Sequence, residues 1–188
     1  MLTLTLPDVE LYDEKNNQFM YAKGQTITLE HSLVSVSKWE SKWKIPFLSG
    51  KTMTAEQTRD YIRCMTITQN VNPILFSKLT QETLDIVTEY IQDPQTATWF
   101  SEKDKQKQGG GSNRPITSEL IYYWMIESGI PMECQKWHLN RLLTLIEVCN
   151  AERKAADPNN KKRYNPRDLA KSRSALNAQR RAAMHTRG

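Results

Sequence analysis

The spacing of hydrophobic residues changes along the chain from a strand period to a helix period. Leu2, Leu4 and Leu6 recur at every second position between threonines, which is the period of a half-buried strand. Short apolar segments follow on either side of a polar turn cluster and of Gly24. We therefore predict a small antiparallel sheet over residues 2–30.

After Ser32 the apolar positions recur every three or four residues. They are Leu33, Val36, Trp39 and Trp43. This spacing predicts an amphipathic helix with Ser32 as its N-cap and Pro46 beyond its end. Two tryptophans four residues apart cover a large apolar area, so we expect them to anchor this helix to the core rather than to bind a ligand.

Two further helices are predicted between residues 54 and 94. Thr54 and Gln57 have the spacing of a capping box, and Thr80 is expected to cap the next helix. Asn72-Pro73 and Asp93-Pro94 interrupt the helical pattern. The residues expected to face the core are Tyr61, Ile62, Met65, Leu84, Val87 and Ile91.

Residues 101–115, SEKDKQKQGGGSNRP, contain no large apolar side chain. This composition predicts an exposed, mobile loop. The glycine triplet within it is not followed by the Gly-Lys-Ser/Thr ending of a phosphate-binding loop, so a nucleotide site is not expected there.

Thr117 or Ser118 is predicted to cap a strongly apolar helix that Gly129 terminates. We expect a second long helix to open at Pro131, whose fixed φ suits a first helical position. Its apolar stripes contain Trp137 or His138, Leu142, Leu145 and Cys149, and beside them Leu139, Leu143 and Ile146. The two helices are expected to form a helical hairpin at the centre of the core.

A helix, a glycine turn and a second helix also describe a DNA-binding helix-turn-helix. A recognition helix presents polar and basic residues at its start. The second helix would begin with Met132, Glu133, Cys134 and Gln135 instead. Since Glu133 would repel phosphate, the pattern favours core packing over DNA recognition.

These elements predict an α+β, mainly α fold. A small N-terminal antiparallel sheet (residues 1–30) precedes a helical body (31–156), which is a bundle with the central helical hairpin and the loop at 101–115. A basic, partly disordered helical tail (157–188) follows. A body of this size can bury a substantial core.

Positive charge is concentrated at the C-terminal end. The chain has a formal net charge of +5, yet residues 151–188 contain eleven Lys or Arg against three acids, and residues 1–150 carry a net −3. Because the tail has few apolar residues, we expect its helix to order on an acidic partner.

The residue types that carry catalysis do not group into a motif. His31, His138 and His185 lie in unrelated segments, and no nucleophile, carboxylate pair or paired-cysteine spacing accompanies them. The odd number of cysteines, three, argues against a disulfide framework. Cys134 and His138 would share a helix face, but a zinc site needs more ligands. We expect no catalytic residue, cofactor or metal.

Three segments resemble a known family. They are LEHSLVSVSKWESKWKIPFLSGKTMT, ITSELIYYWMIESGIPMECQKWHLNRLLTLIEVCN and LNAQRRAAMHTRG, and they are similar to tail assembly chaperones of tailed double-stranded DNA bacteriophages. The resemblance implies a helper that binds the tape measure protein, keeps it soluble, and is displaced as tail tube subunits polymerise. It also implies a short form and a frameshift-extended form, of which this chain would be the short one.

The expected partners are therefore the tape measure protein and tail tube subunits, with a homo-oligomer as a further option. A chaperone needs apolar surface for its client, so we predict that at least one of three aromatic side chains on the apolar helix stays exposed. The predicted partner-binding residues are Tyr122, Tyr123, Trp124, Lys161, Lys162, Arg163, Arg167, Arg173, Arg180 and Arg181.

Two other functions remain open. One is a structural virion component, such as a connector or minor tail protein, with a basic arm. The other is nucleic-acid binding by residues 161–181, although Tyr164 is the only aromatic residue there that could stack on a base. No apolar run is long enough to cross a bilayer and no secretion signal is seen, so we expect a protein used inside a cell. The resemblance implies that this location is the host cell cytoplasm during phage assembly.

Overall fold

The structure is a computed structural model that describes residues 1–14, 16–98 and 115–156. The chain divides into two compact units, Met1–Cys149 and Asn150–Gly188. The first unit is an α+β, mainly α fold in which four short strands precede the helices. This confirms the predicted fold class.

The four strands form one long antiparallel hairpin with a break in its middle. Strands β1 (Leu2–Leu6) and β4 (Gln25–Leu29) pair, as do β2 (Val9–Asp13) and β3 (Gln18–Ala22). Leu6 lies opposite Gln25 and Val9 opposite Ala22. The two pairs therefore share a continuous register across the interruption.

The break in the hairpin is held by Asp8. Its carboxylate accepts hydrogen bonds from the Gly24 backbone N–H at 2.6 Å and from the Tyr21 hydroxyl at 2.5 Å. A Cβ atom on Gly24 would lie 2.5 Å from the carbonyl oxygen of Leu6. Only glycine lets the two strands approach this closely.

The helices lie where the apolar spacing predicted them, with one exception. They are α1 (Leu33–Trp43), α2 (Ala55–Met65), α3 (Gln81–Gln92), α4 (Ser118–Ser128) and α5 (Leu139–Ala156). Short 3₁₀ segments occupy Phe47–Ser49, Pro73–Lys78 and Met132–Lys136. The predicted N-caps, Ser32, Thr54, Thr80 and Thr117, all accept a hydrogen bond from a first-turn amide.

The start of α5 is the exception. The predicted start at Pro131 is wrong, because a 3₁₀ segment follows this proline and α5 begins only at Leu139. His138 forms a β-bridge with Ser32, and the Leu139 N–H donates to the carbonyl of His31 at 2.7 Å. These long-range bonds hold extended backbone where local propensity favoured a helix.

The core lies between the hairpin and the helices. Trp39 is almost fully buried and its indole N–H donates to the carbonyl of Gln57 at 3.0 Å; Trp43 packs at the edge of the core. This confirms both tryptophans as anchors of α1. The other largest fully buried side chains are Leu6, Ile27, Leu29, Leu33, Ile62, Met65, Leu75, Ile121, Met125, Leu139 and Leu142.

A buried carboxylate joins α1 to two distant backbone segments. Glu40 accepts from the N–H groups of Phe47 and Ser118, each at 2.7 Å. Ser118 opens α4, and α4 packs against α1. Glu40 therefore fixes the N-terminus of α4 against α1.

Two predictions fall outside the described residues. Most of the loop predicted at 101–115 lies there, and so does the whole of the predicted tail, 157–188. In the part of the chain that the structure describes, none of the helices combines the length and apolarity needed to cross a bilayer.

Candidate functional site

Two histidines that lie far apart in the sequence meet in the interior. His31 follows β4, and His138 precedes α5. Their rings pack edge to face with centroids 5.0 Å apart, and both side chains are buried. We call His31, His138, Tyr61, Tyr90 and Glu30 the histidine junction.

His31 is held in its neutral form. Its Nδ1 atom shares a hydrogen bond of 2.5 Å with the hydroxyl of Tyr61. Burial, reinforced by His138, lowers the pKa of His31 to about 3. Burial also raises the pKa of the Tyr61 hydroxyl well above its usual value, so both partners stay uncharged near neutral pH.

The tautomer of His138 follows from its hydrogen bond. Its Nε2 atom lies 3.0 Å from the backbone carbonyl of Tyr90, which can only accept, so Nε2 carries the proton. The other ring nitrogen, Nδ1, is a buried acceptor with no partner among the described residues. Burial lowers the pKa of His138 despite this hydrogen bond and the nearby carboxylate of Glu30.

Glu30 completes the junction on the side of α3. One carboxylate oxygen accepts from the Tyr90 hydroxyl at 2.7 Å, and the other lies 3.1 Å from the amino group of Met1. Burial, followed by the hydrogen bond to Glu30, raises the pKa of Tyr90. Every member of the junction thus joins two or more elements of the first unit.

The geometry of the histidine junction suits packing better than chemistry. General acid–base catalysis requires a side chain within hydrogen-bond reach of a substrate, and both rings are sealed from solvent. Cys134 lies in a 3₁₀ segment and His138 outside a helix, so the expected shared helix face is wrong. Across residues 1–14, 16–98 and 115–156, no three metal-binding side chains form a group.

A second polar cluster surrounds Asp60 on α2. Its carboxylate accepts from Lys42 at 2.5 Å and from the indole N–H of Trp43 at 2.9 Å. Burial opposes its ionisation, but these hydrogen bonds lower the pKa of Asp60. A shallow groove of about 210 Å³ adjoins it, lined by Arg59, Arg63 and Phe76 among others. Because Glu56 and Asp60 balance most of its positive charge, this groove is a weak candidate for anion binding.

The β2–β3 hairpin presents three aromatic side chains to solvent. Tyr12 lies directly opposite Phe19, with ring centroids 4.9 Å apart, and Glu10 lies opposite Tyr21. Directly paired residues share a face of the hairpin. Tyr12 is 50% exposed, Phe19 73% and Tyr21 62%, whereas Val9 and Ala22 on the other face are buried. We call Glu10, Tyr12, Phe19 and Tyr21 the aromatic face.

Helix α4 carries a second exposed apolar surface. Tyr123 is 58% exposed and Ile126 is 69% exposed, and their spacing of three residues places them on one side of the helix. Ile121 and Met125 on the opposite side are fully buried. We call Tyr123 and Ile126 the α4 face.

The prediction that at least one of the three aromatic side chains of α4 stays exposed is confirmed. Tyr123 projects from the body, while Tyr122 and Trp124 are half-buried against the core. The Tyr122 hydroxyl donates to Gln135 at 2.9 Å. Of the predicted partner-binding residues in α4, Tyr123 is therefore the accessible one.

The predicted basic residues of the tail lie outside the described residues. They are Lys161, Lys162, Arg163, Arg167, Arg173, Arg180 and Arg181. Sequence reasoning missed the aromatic face and the histidine junction. The aromatic face had a sequence signal, which is the alternation of Glu10, Tyr12, Phe19 and Tyr21 around the polar turn. The histidine junction has no such signal, since it depends on long-range contacts.

Comparisons of the chain with protein-family models, with curated proteins and with solved structures find no match.

Proposed function

We propose that this protein is a non-catalytic protein-binding factor, and specifically a tail assembly chaperone that binds the tape measure protein of a tailed bacteriophage. The observation that carries the proposal is the exposure of Tyr123 and Ile126 on a helix whose opposite side, with Ile121 and Met125, is buried. The family follows from the sequence resemblance alone.

The α4 face has the size and chemistry of one weak binding site. Its two side chains leave roughly 200 Å² of apolar surface in water, which at about 25 cal/mol per Å² corresponds to about 5 kcal/mol before the cost of association. A long helical client offers many similar sites, so several weak contacts add. Weak single sites also let tail tube subunits displace the chaperone.

The test is co-expression with the tape measure protein of the same phage, followed by a pull-down. Tyr123→Ser combined with Ile126→Ser should reduce the recovered client by about tenfold, because it removes the apolar contact. A variant without residues 157–188 reports separately on the basic tail.

The matched control is Ile86→Ser, which removes an exposed apolar side chain from α3. It should leave client recovery unchanged. Equal recovery with the α4 double variant and the control contradicts the proposal. Stoichiometric amounts of the protein in purified particles, measured by mass spectrometry, contradict the helper role and favour a structural virion component.

A further inference from the structure

The β2–β3 hairpin carries a net negative charge, as does the stretch 81–93, which has four acids and no base. Residues 8–22 contain four acids, Asp8, Glu10, Asp13 and Glu14, and one base, Lys15. Their net charge of −3 equals that of the whole stretch 1–150, so the other residues of this stretch sum to zero. The hairpin is thus an acidic surface, and Lys78 is the base beside it, with its ammonium donating to the Glu10 carbonyl at 2.9 Å.

The aromatic face combines this charge with three exposed rings. An arginine or lysine placed over an aromatic ring is attracted by its π electrons, and a neighbouring carboxylate adds a charge-assisted hydrogen bond. The body already contains contacts between a cation and an aromatic ring. The guanidinium of Arg141 lies 4.5 Å from the ring centre of Trp137, and the ammonium of Lys42 lies 5.3 Å from that of Trp43.

We propose that the aromatic face binds the basic segment 161–181 of a second copy of this chain. This segment has eight Lys or Arg and one acid, so its charge is opposite to that of the hairpin. Nothing apolar is required of it, because the aromatic rings accept the cations directly.

A contact of this kind is heterologous, since it joins different surfaces of the two copies. The aromatic face belongs to the unit Met1–Cys149, whereas the basic segment belongs to the unit Asn150–Gly188. A pair joined by one such contact leaves the basic segment free on one copy and the aromatic face free on the other, so the contact can repeat from copy to copy. Such a row of copies would suit an elongated client, although self-association itself requires no client.

The test uses two full-length variants in sedimentation velocity, alone and mixed. The face variant carries Glu10→Lys and Phe19→Ser. The tail variant carries Arg163→Glu, Arg167→Glu and Arg173→Glu. Wild-type protein should associate with rising concentration and dissociate with added salt, and each variant alone should associate at least about tenfold more weakly.

The mixture gives the decisive result. The face variant keeps an intact basic segment and the tail variant keeps an intact aromatic face, so together they should form a 1:1 dimer and nothing larger. Because Phe19 is 73% exposed, Phe19→Ser alone should weaken association without loss of fold. Ile86→Ser, which removes an exposed apolar side chain from α3, is the matched control and should associate like the wild type.

Three results would overturn the proposal. They are a wild-type protein that stays monomeric at all concentrations, a face variant that associates like the wild type, and association that disappears after nuclease treatment. A monomer with energy transfer between labels on the hairpin and the tail of one chain would show intramolecular binding instead. Loss of self-association with unchanged client recovery leaves the proposed chaperone role intact, so the two failures are distinguishable.

Discussion

A single carboxylate, that of Glu40, satisfies two backbone N–H groups, a part-buried one at Phe47 and a buried one at Ser118. The acceptor oxygens lie 2.7 Å from the nitrogens of Phe47 and Ser118. A buried backbone donor that loses its acceptor costs about 1–3 kcal/mol. The location at the start of α4 adds a favourable interaction between the negative charge and the helix dipole.

We expect Glu40→Gln to destabilise the protein by about 2 kcal/mol. The amide supplies one acceptor oxygen, and its NH₂ group faces a donor. Urea unfolding at neutral pH measures the loss. Glu82→Gln, which changes an exposed acid in the first turn of α3, is the control and should have little effect; equal unfolding midpoints would contradict the assigned role of Glu40.

The buried His31 predicts a pH dependence of stability. Its pKa of about 3 in the folded state lies below the value of about 6.5 expected when unfolded. The unfolded state therefore binds the proton first, and stability that is present above about pH 6.5 is lost as the pH falls. Between pH 7.5 and pH 5 this amounts to about 2 kcal/mol.

Urea unfolding of the wild type and of His31→Gln at these two pH values tests this dependence. Glutamine keeps a hydrogen-bonding group near Tyr61 but does not titrate. The wild type should lose more stability than the variant, and parallel losses in both proteins would show that other groups cause the effect.

At the scale of elements, the β hairpin depends on the close approach of Gly24 to the backbone of Leu6 and Pro7. The register runs through β1–β4 and β2–β3 without a shift, and the Asp8 carboxylate bridges the gap between the two pairs. The hydrogen bond from Tyr21 and then that from Gly24 lower the pKa of Asp8. The acidic group that holds the break therefore remains charged well into acidic conditions.

Gly24→Ala should destabilise the hairpin by about 2 kcal/mol. The added methyl would lie 2.5 Å from the Leu6 carbonyl oxygen and 2.9 Å from the carbonyl carbon of Pro7, and backbone atoms cannot move away easily. Thermal unfolding and hydrogen exchange of the β2–β3 amides measure the effect. Lys23→Ala changes the neighbouring exposed residue without a clash, so a comparable loss there would contradict this reason.

Local signals predicted the helices well and the start of α5 poorly. A cap such as Thr54 acts within four residues, so its signature is complete in the sequence. The start of α5 depends on bonds from His138 and Leu139 to residues 31 and 32. No window of sequence around Pro131 contains that information.

At the scale of the whole molecule, periodicity and composition were enough for the fold class. The change from alternating to helical spacing after Ser32 separates the hairpin from the helices. The exposed side chains were harder to predict, because Tyr122, Tyr123 and Trp124 are alike in type and differ only in what α4 packs against. Pairing across the hairpin likewise decides that Tyr12 and Phe19 meet.

Because Glu40 holds Ser118 directly, the stability of the body should depend little on the number of residues in the segment before α4. The structure describes the chain up to Thr98 and again from Pro115, and Ser118 at the start of α4 is held by Glu40 of α1. Loop closure entropy grows only slowly with length. A fluorescent domain inserted after Gly110 should therefore leave the urea midpoint nearly unchanged, which would make this position a convenient place for a label.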